Sequence, residues 1–209
     1  MGYCTLGILW GSQGSLDEGV HRVHIGLLSQ LVDKAVNEKP SGDVLAACCG
    51  GYAPYYHLVY LLAEHMKPCN VVELGVAHGR FLHCAALSSP ENKIFGIDVA
   101  RYPELDKVLA ACNNVTFINK SSVPIPDQLL HLPVINILHV DTLHTYNQAW
   151  AEFRAYKHLL SDGAVVMFDD LHAAEDDVLR FFNELSFPKI QDDRLHTALG
   201  YGVMVYEQS

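Results

Sequence analysis

From residue 70 onward short apolar runs alternate with amphipathic stretches, and this rhythm constrains the fold more than any other feature of the chain. The runs 70–76, 93–98, 115–119, 134–141 and 164–169 are short and mostly rich in β-branched residues, so each reads as a buried strand. A final strand is expected over 199–206. Between them the spacing predicts helices: one over 79–87, one with Pro103 in its first turn, one carrying Tyr146, Ala149, Trp150, Phe153 and Leu160 and stopped at Gly163, and one carrying Ala174, Val178, Phe181, Phe182 and Leu185. Strands alternating with helices imply a mostly parallel sheet covered on both faces, wound with right-handed crossovers. In such sheets ligands lie outside the carboxyl ends of the strands.

The first third reads as helical. Ser15 and Glu18 have capping-box spacing, and Leu16, Val20, Val23, Leu27, Leu28 and Leu31 follow at helical intervals. A looser stretch over 40–54 precedes a second helix with Tyr55, Leu58, Val59, Leu62 and Met66, stopped by Pro68. The 209 residues suit one domain, with an N-terminal helical extension over 1–52 before a core over 53–209. A net charge of −10 argues against nucleic acid as a partner. No apolar run approaches the ~20 residues that span a bilayer, and no basic leader is visible, so no membrane partner and a cytoplasmic location are expected. Cys4, Cys48, Cys49, Cys69, Cys84 and Cys112 show no regular framework and are read as reduced thiols.

Chemistry-bearing residues gather after the strands. After the first comes Glu73-Leu-Gly75-Val-Ala-His-Gly79, a turn bracketed by two glycines that let the backbone approach a ligand closely. Ala77 and Arg80 break the dinucleotide GxGxxG pattern. Glu73 can accept hydrogen bonds from an ammonium-bearing ligand. Asp98, closing the second strand, can hold ribose hydroxyls or cap a helix. Asp141 and the pair Asp169-Asp170 close the fourth and fifth strands, where neighbouring carboxylates can converge on a hard cation; Asp170 also suits a plain helix cap. His144 follows Asp141 by three residues and can take a proton near neutral pH. His78, His139 and His172 are placed near the same rim.

Together these residues resemble the class I S-adenosylmethionine-dependent, metal-dependent O-methyltransferases. Glu73-Leu-Gly75 through Gly79 is similar to the first motif of the catechol O-methyltransferase type. Asp141-Thr-Leu-His144-Thr-Tyr146, followed by Asp169-Asp170, resembles the branch of macrolide-sugar and rhamnosyl O-methyltransferases and the proteins named cephalosporin hydroxylase. The resemblance runs from about residue 52 to the end. It implies a Rossmann-like doubly wound, seven-stranded sheet. It further implies that Glu73, Gly75, Gly79, Asp98, Ser121 and Asp141 border S-adenosylmethionine, that Asp141, Asp169 and Asp170 hold a divalent metal such as Mg²⁺, and that His144 is the general base. The acceptor would be a small-molecule hydroxyl, on a sugar or natural-product diol or a catechol; a homo-oligomer is also compatible. Phe81, Thr142 and Lys120 depart from the pattern, standing where the relatives carry serine, glycine and an acid. A non-methylating relative and a binding module without turnover remain open as alternatives.

Overall fold

The computed structural model describes residues 22–48 and 51–208. Seven strands form one sheet: β1 (Asn70–Leu74), β2 (Lys93–Asp98), β3 (Val115–Asn119), β4 (Ile135–Val140), β5 (Leu160–Asp169), β6 (Lys189–Gln191) and β7 (Tyr201–Tyr206). Their order is β3-β2-β1-β4-β5-β7-β6. The first five are parallel, and β7 runs antiparallel to both β5 and β6. The strand order reverses between β1 and β4, which opens a crevice beyond their carboxyl ends. The expected Rossmann-like, mostly parallel sheet is therefore the one found, closed by an antiparallel edge. β6 matches none of the apolar runs. It has three residues, two of them polar, too few to show a period.

Successive sheet residues alternate between two cores. Val71, Ile137, Val165 and Val203 face the helices α1 (Ile25–Asn37), α2 (Gly42–Ala47), α3 (Pro54–His65), α4 (Arg80–Ser88) and α5 (Pro103–Ala111). Val72, Leu138, Val166 and Met204 face α6 (Tyr146–Tyr156) and α7 (Asp177–Glu184). Full burial of one such aliphatic side chain stabilises the fold by about 1.5–3 kcal/mol. Two covered faces explain why β4 and β5 read as continuous apolar runs.

Three local expectations change. The capping box at Ser15 lies outside the described residues; α1 is capped instead by His24, whose Nδ1 accepts from the Leu27 N–H. The loose stretch contains α2, whose N-cap Ser41 accepts from the Val44 N–H. Six residues opening on glycine gave no readable period. Finally, α6 ends at Tyr156, and Leu160 opens β5 rather than closing the helix. Gly163 lies inside that strand at φ +78°, beside a register shift between Ile135 and Ile137, and stops no helix. A single buried leucine fits either period. No helix among the described residues is long and apolar enough to cross a membrane. Cys48, Cys69, Cys84 and Cys112 are buried and form no disulfide among the described residues; Cys4 and Cys49 lie outside the described residues.

Candidate active site

The glycine turn is shaped by two close approaches. Gly75, at φ +83°, passes so near the end of β4 that a Cβ there would lie 1.7 Å from the Asp141 carbonyl oxygen. Gly79, at φ +76°, opens α4, where a Cβ would lie 2.7 Å from Leu105 Cδ1. Asp98 holds the turn from the neighbouring strand: its Oδ2 accepts from the backbone N–H groups of Val76 and Ala77 at 2.8 and 3.1 Å, and its Oδ1 from Ala100 at 2.8 Å. Gly75, Asp98, Ser121 and Asp141 all line one cavity of about 300 Å³. The Ser121 hydroxyl donates to the Val123 carbonyl at 2.8 Å. Glu73 stands apart from this wall. It is buried within β1 and lines a smaller cavity of about 130 Å³ on the α4 side of the turn, with Tyr55, Tyr56, Arg80, Phe81 and Asp141. Asp141 therefore borders both spaces.

Sheet register assembles the acids. Val140 pairs with Phe168, so the next residue on each strand, Asp141 and Asp169, emerges at the same level. His144 Nε2 lies 2.9 Å from Asp141 Oδ1 and 3.5 Å from Asp170 Oδ2, linking the two acids. His196 Nδ1 lies 2.7 Å from Asp169 Oδ1 and 3.2 Å from Asp170 Oδ1. Asp170 Oδ1 is buried and makes no hydrogen bond of good geometry. His144 and Asp170 both adopt the left-handed region, at φ +47° and +53°. Asp170 caps no helix: its carboxylate faces these two imidazoles, while α7 starts after Asp176.

The electrostatics follow from these pairings. The hydrogen bond to Asp141 holds His144 above the usual imidazole range. Hydrogen bonds to Asp169 and Asp170 push His196 up to about 10. Burial raises Asp169 above the usual carboxylate range. Burial alone would raise Asp170 too, but the His196 and His144 imidazoles outweigh it and hold that carboxyl low.

Ligand atoms of Asp169, Asp170 and His196 lie within 4.8 Å of one another, as do those of Glu73, His139 and Asp141. The three acids expected to form a triad thus fall into two adjacent groups, with His144 between them. His196 was not found in the sequence. It lies 27 residues beyond Asp169 in the loop before β7, among 12 histidines, and no local pattern marks it.

Behind the rim are two buried polar sets. Glu73 and His139 are register partners on β1 and β4, with Glu73 Oε1 3.2 Å from His139 Nδ1. Burial pushes Glu73 up to about 7. His139 is fully buried and stacks on Phe81 with centroids 4.0 Å apart, so it belongs to the core and not to the rim. His172 pairs with Asp176 at 2.8 Å and His78 with Glu104 at 3.3 Å, both on the surface. The second set centres on Glu152 of α6, which accepts from Ser122, Thr142 and Gln148. Thr142 thereby fixes the segment between Asp141 and His144 to that helix, a role glycine could not fill.

A reversed strand order, a glycine turn beyond β1 and a ligand-sized crevice beside it define a Rossmann-like methyltransferase fold. The comparisons agree: a family profile described as a methyltransferase domain matches residues 72–171. The matched stretch runs from within β1 to just past β5 and holds the glycine turn and the acids that follow the strands, which supports methyl transfer as the activity. No curated protein matches it by sequence. Among solved structures, it is similar to the apo form of a TDP-rhamnose 3′-O-methyltransferase of calicheamicin biosynthesis, with 18% identity, a TM-score of 0.59, and coverage of 93% of this chain and 100% of that one. It is also similar to the O-methyltransferase TomG of Streptomyces achromogenes, involved in tomaymycin synthesis and solved in complex with SAM, with 17% identity, a TM-score of 0.65, and coverage of 86% and 96%.

The residues fit the groups this fold implies. The close approach of Gly75 to the Asp141 backbone holds the turn beside a cavity of about 300 Å³, which can take a small-molecule cofactor. Glu73 Oε2 is buried without a hydrogen-bond partner and Asp170 Oδ1 is held only by its ion pair with His196, so both suit a donor or a cation. Two carboxylates with one imidazole suit a hard divalent ion.

Proposed function

We propose that the protein is an S-adenosylmethionine-dependent O-methyltransferase acting on a hydroxyl of a small molecule, of the sugar or natural-product diol type, with help from a divalent metal. The observation that carries this reading is the meeting of His144 with Asp170 and with Asp141, which itself lines the Gly75 cavity. Gly75, Gly79, Asp98, Ser121 and Asp141 would hold the cofactor; Asp169 and Asp170, with Asp141 and His196 beside them, would hold the metal. Bound there, the cofactor supplies an electrophilic methyl group and the metal a Lewis acid. His144 receives the acceptor proton at Nδ1, while its Nε2–H donates to Asp141, which stabilises the imidazolium that results. The walls of the crevice keep acceptor and methyl group in line, which supplies much of the rate. The calicheamicin relative, whose substrate is a sugar nucleotide, supports a glycoside acceptor.

One observation favours a metal-free form of the same reaction: His144 and His196 already face the carboxylates and offset their charge. Calorimetric titration with S-adenosylmethionine, then turnover on glycoside diols with Mg²⁺ or with EDTA, tests both forms. Saturable binding and Mg²⁺-dependent turnover are expected. Undiminished turnover in EDTA would remove the metal, and absence of cofactor binding would sink the whole reading.

A further inference from the structure

The smaller cavity is lined by groups of opposite charge. Arg80, the first residue of α4, lines it together with Glu73, Asp141, Tyr55 and Tyr56. Other arginines are engaged in ion pairs: Arg22, Arg101, Arg180 and Arg194. Among the described residues Arg80 has no such partner, and its Nε is buried without a hydrogen bond. The Tyr56 phenol lies beside it as a hydrogen-bond partner of the guanidinium, and Cys48 also feels its charge. In the same cavity Glu73 Oε2 is likewise buried and unpartnered. A buried guanidinium nitrogen and a buried carboxylate oxygen, each lacking a partner, are costly unless a ligand satisfies both. A cavity of about 130 Å³ suits the few atoms of an α-ammonium carboxylate.

We infer that Arg80 binds the carboxylate of the cofactor's amino-acid end, an inference that rests on the S-adenosylmethionine reading above. Phe81 has no hydroxyl to offer and stacks on His139, while its neighbour supplies a charged fork suited to a carboxylate. The competing role for Arg80 is as a prop: a Cβ on Gly51 would lie 2.4 Å from its Nη1, so the guanidinium also packs against that turn.

The test compares binding of S-adenosylmethionine, its decarboxylated analogue and 5′-methylthioadenosine to the wild type, Arg80→Gln and Arg80→Lys, by calorimetry. The wild type is expected to prefer S-adenosylmethionine over the decarboxylated analogue by about tenfold or more, the worth of one charge-assisted contact. Arg80→Gln should weaken S-adenosylmethionine by a similar factor and leave the decarboxylated analogue within about twofold; Arg80→Lys should retain part of the preference. Equal wild-type affinities for the two ligands, or an Arg80→Gln loss shared equally by both, would overturn the assignment and leave the cofactor reading standing. If the wild type bound neither S-adenosylmethionine nor 5′-methylthioadenosine, the cofactor reading itself would fall and the Arg80 assignment with it. Should Arg80→Gln fail to fold, the wild-type preference and Arg80→Lys decide.

Discussion

The two walls of the crevice are built from different materials. The wall beyond β1 and β2 is mostly backbone: two glycines, and N–H groups of residues 76, 77 and 100 that Asp98 gathers. The wall beyond β4 and β5 is side chain, with three acids and two histidines drawn from positions 141 to 196. A backbone wall tolerates almost no added atom but asks little of side-chain identity. A side-chain wall tolerates changes of shape but depends on charge at every position. Substitutions should therefore cost stability on the first wall and chemistry on the second.

The sharpest way to break that contrast is Gly75→Ala. A methyl group 1.7 Å from a carbonyl oxygen, at a φ that L residues rarely adopt, forces β1 and β4 apart. A loss of about 3 kcal/mol or more is expected in urea unfolding. A variant as stable as the wild type would show the backbone wall to be pliable. On the other wall, His144→Ala should lower turnover about a hundredfold and leave cofactor affinity within about threefold. An equal fall in both would show that His144 shapes the crevice instead of accepting a proton.

A third substitution probes the support behind the acid wall. Glu152 is buried, and burial raises its carboxyl above the usual range. The folded state therefore keeps a proton that the unfolded chain has already released. Its contribution to stability is full below the unfolded carboxylate value and declines as pH rises through the folded one. Glu152→Gln should flatten that slope, at a change of about 1 kcal/mol or less near neutral pH, because the amide keeps hydrogen-bonding capacity toward Ser122, Thr142 and Gln148. Unfolding midpoints measured across mildly acidic pH would show an unchanged slope if Glu152 were not the titrating group. The smallest effect belongs to Ser121→Ala. Its exposed hydroxyl serves only the Val123 carbonyl among the described residues, so stability should change by about 0.5 kcal/mol and cofactor affinity by about threefold or less. A larger loss of affinity would make Ser121 a direct cofactor contact of weight.

The same contrast separates what a linear reading sees from what it misses. Glu73, Gly75 and Gly79 span seven residues, and the geometry they impose is local, so their spacing, taken with the acids after the later strands, marks a ligand turn. The alternation of strands and helices is equally local, because burial on two faces writes itself into each apolar run. Asp141, Asp169 and Asp170 were legible because every strand of a parallel sheet ends on the same side. His196 has no such address. It reaches Asp169 only because the antiparallel return of β7 carries the preceding loop back over the crevice.

What the sequence by itself determined is thus the class of fold, the glycine turn and the set of acids at the strand ends, since each depends on neighbours within one turn or strand. Tertiary structure alone decided the register that sets Glu73 beside His139, the division of the acids into two groups and the arrival of His196. It also decided that Arg80 and the buried Glu73 carboxylate line one cavity. Those features depend on which strands lie side by side and how far each slides along the other, and a side-chain period of two residues does not encode that distance.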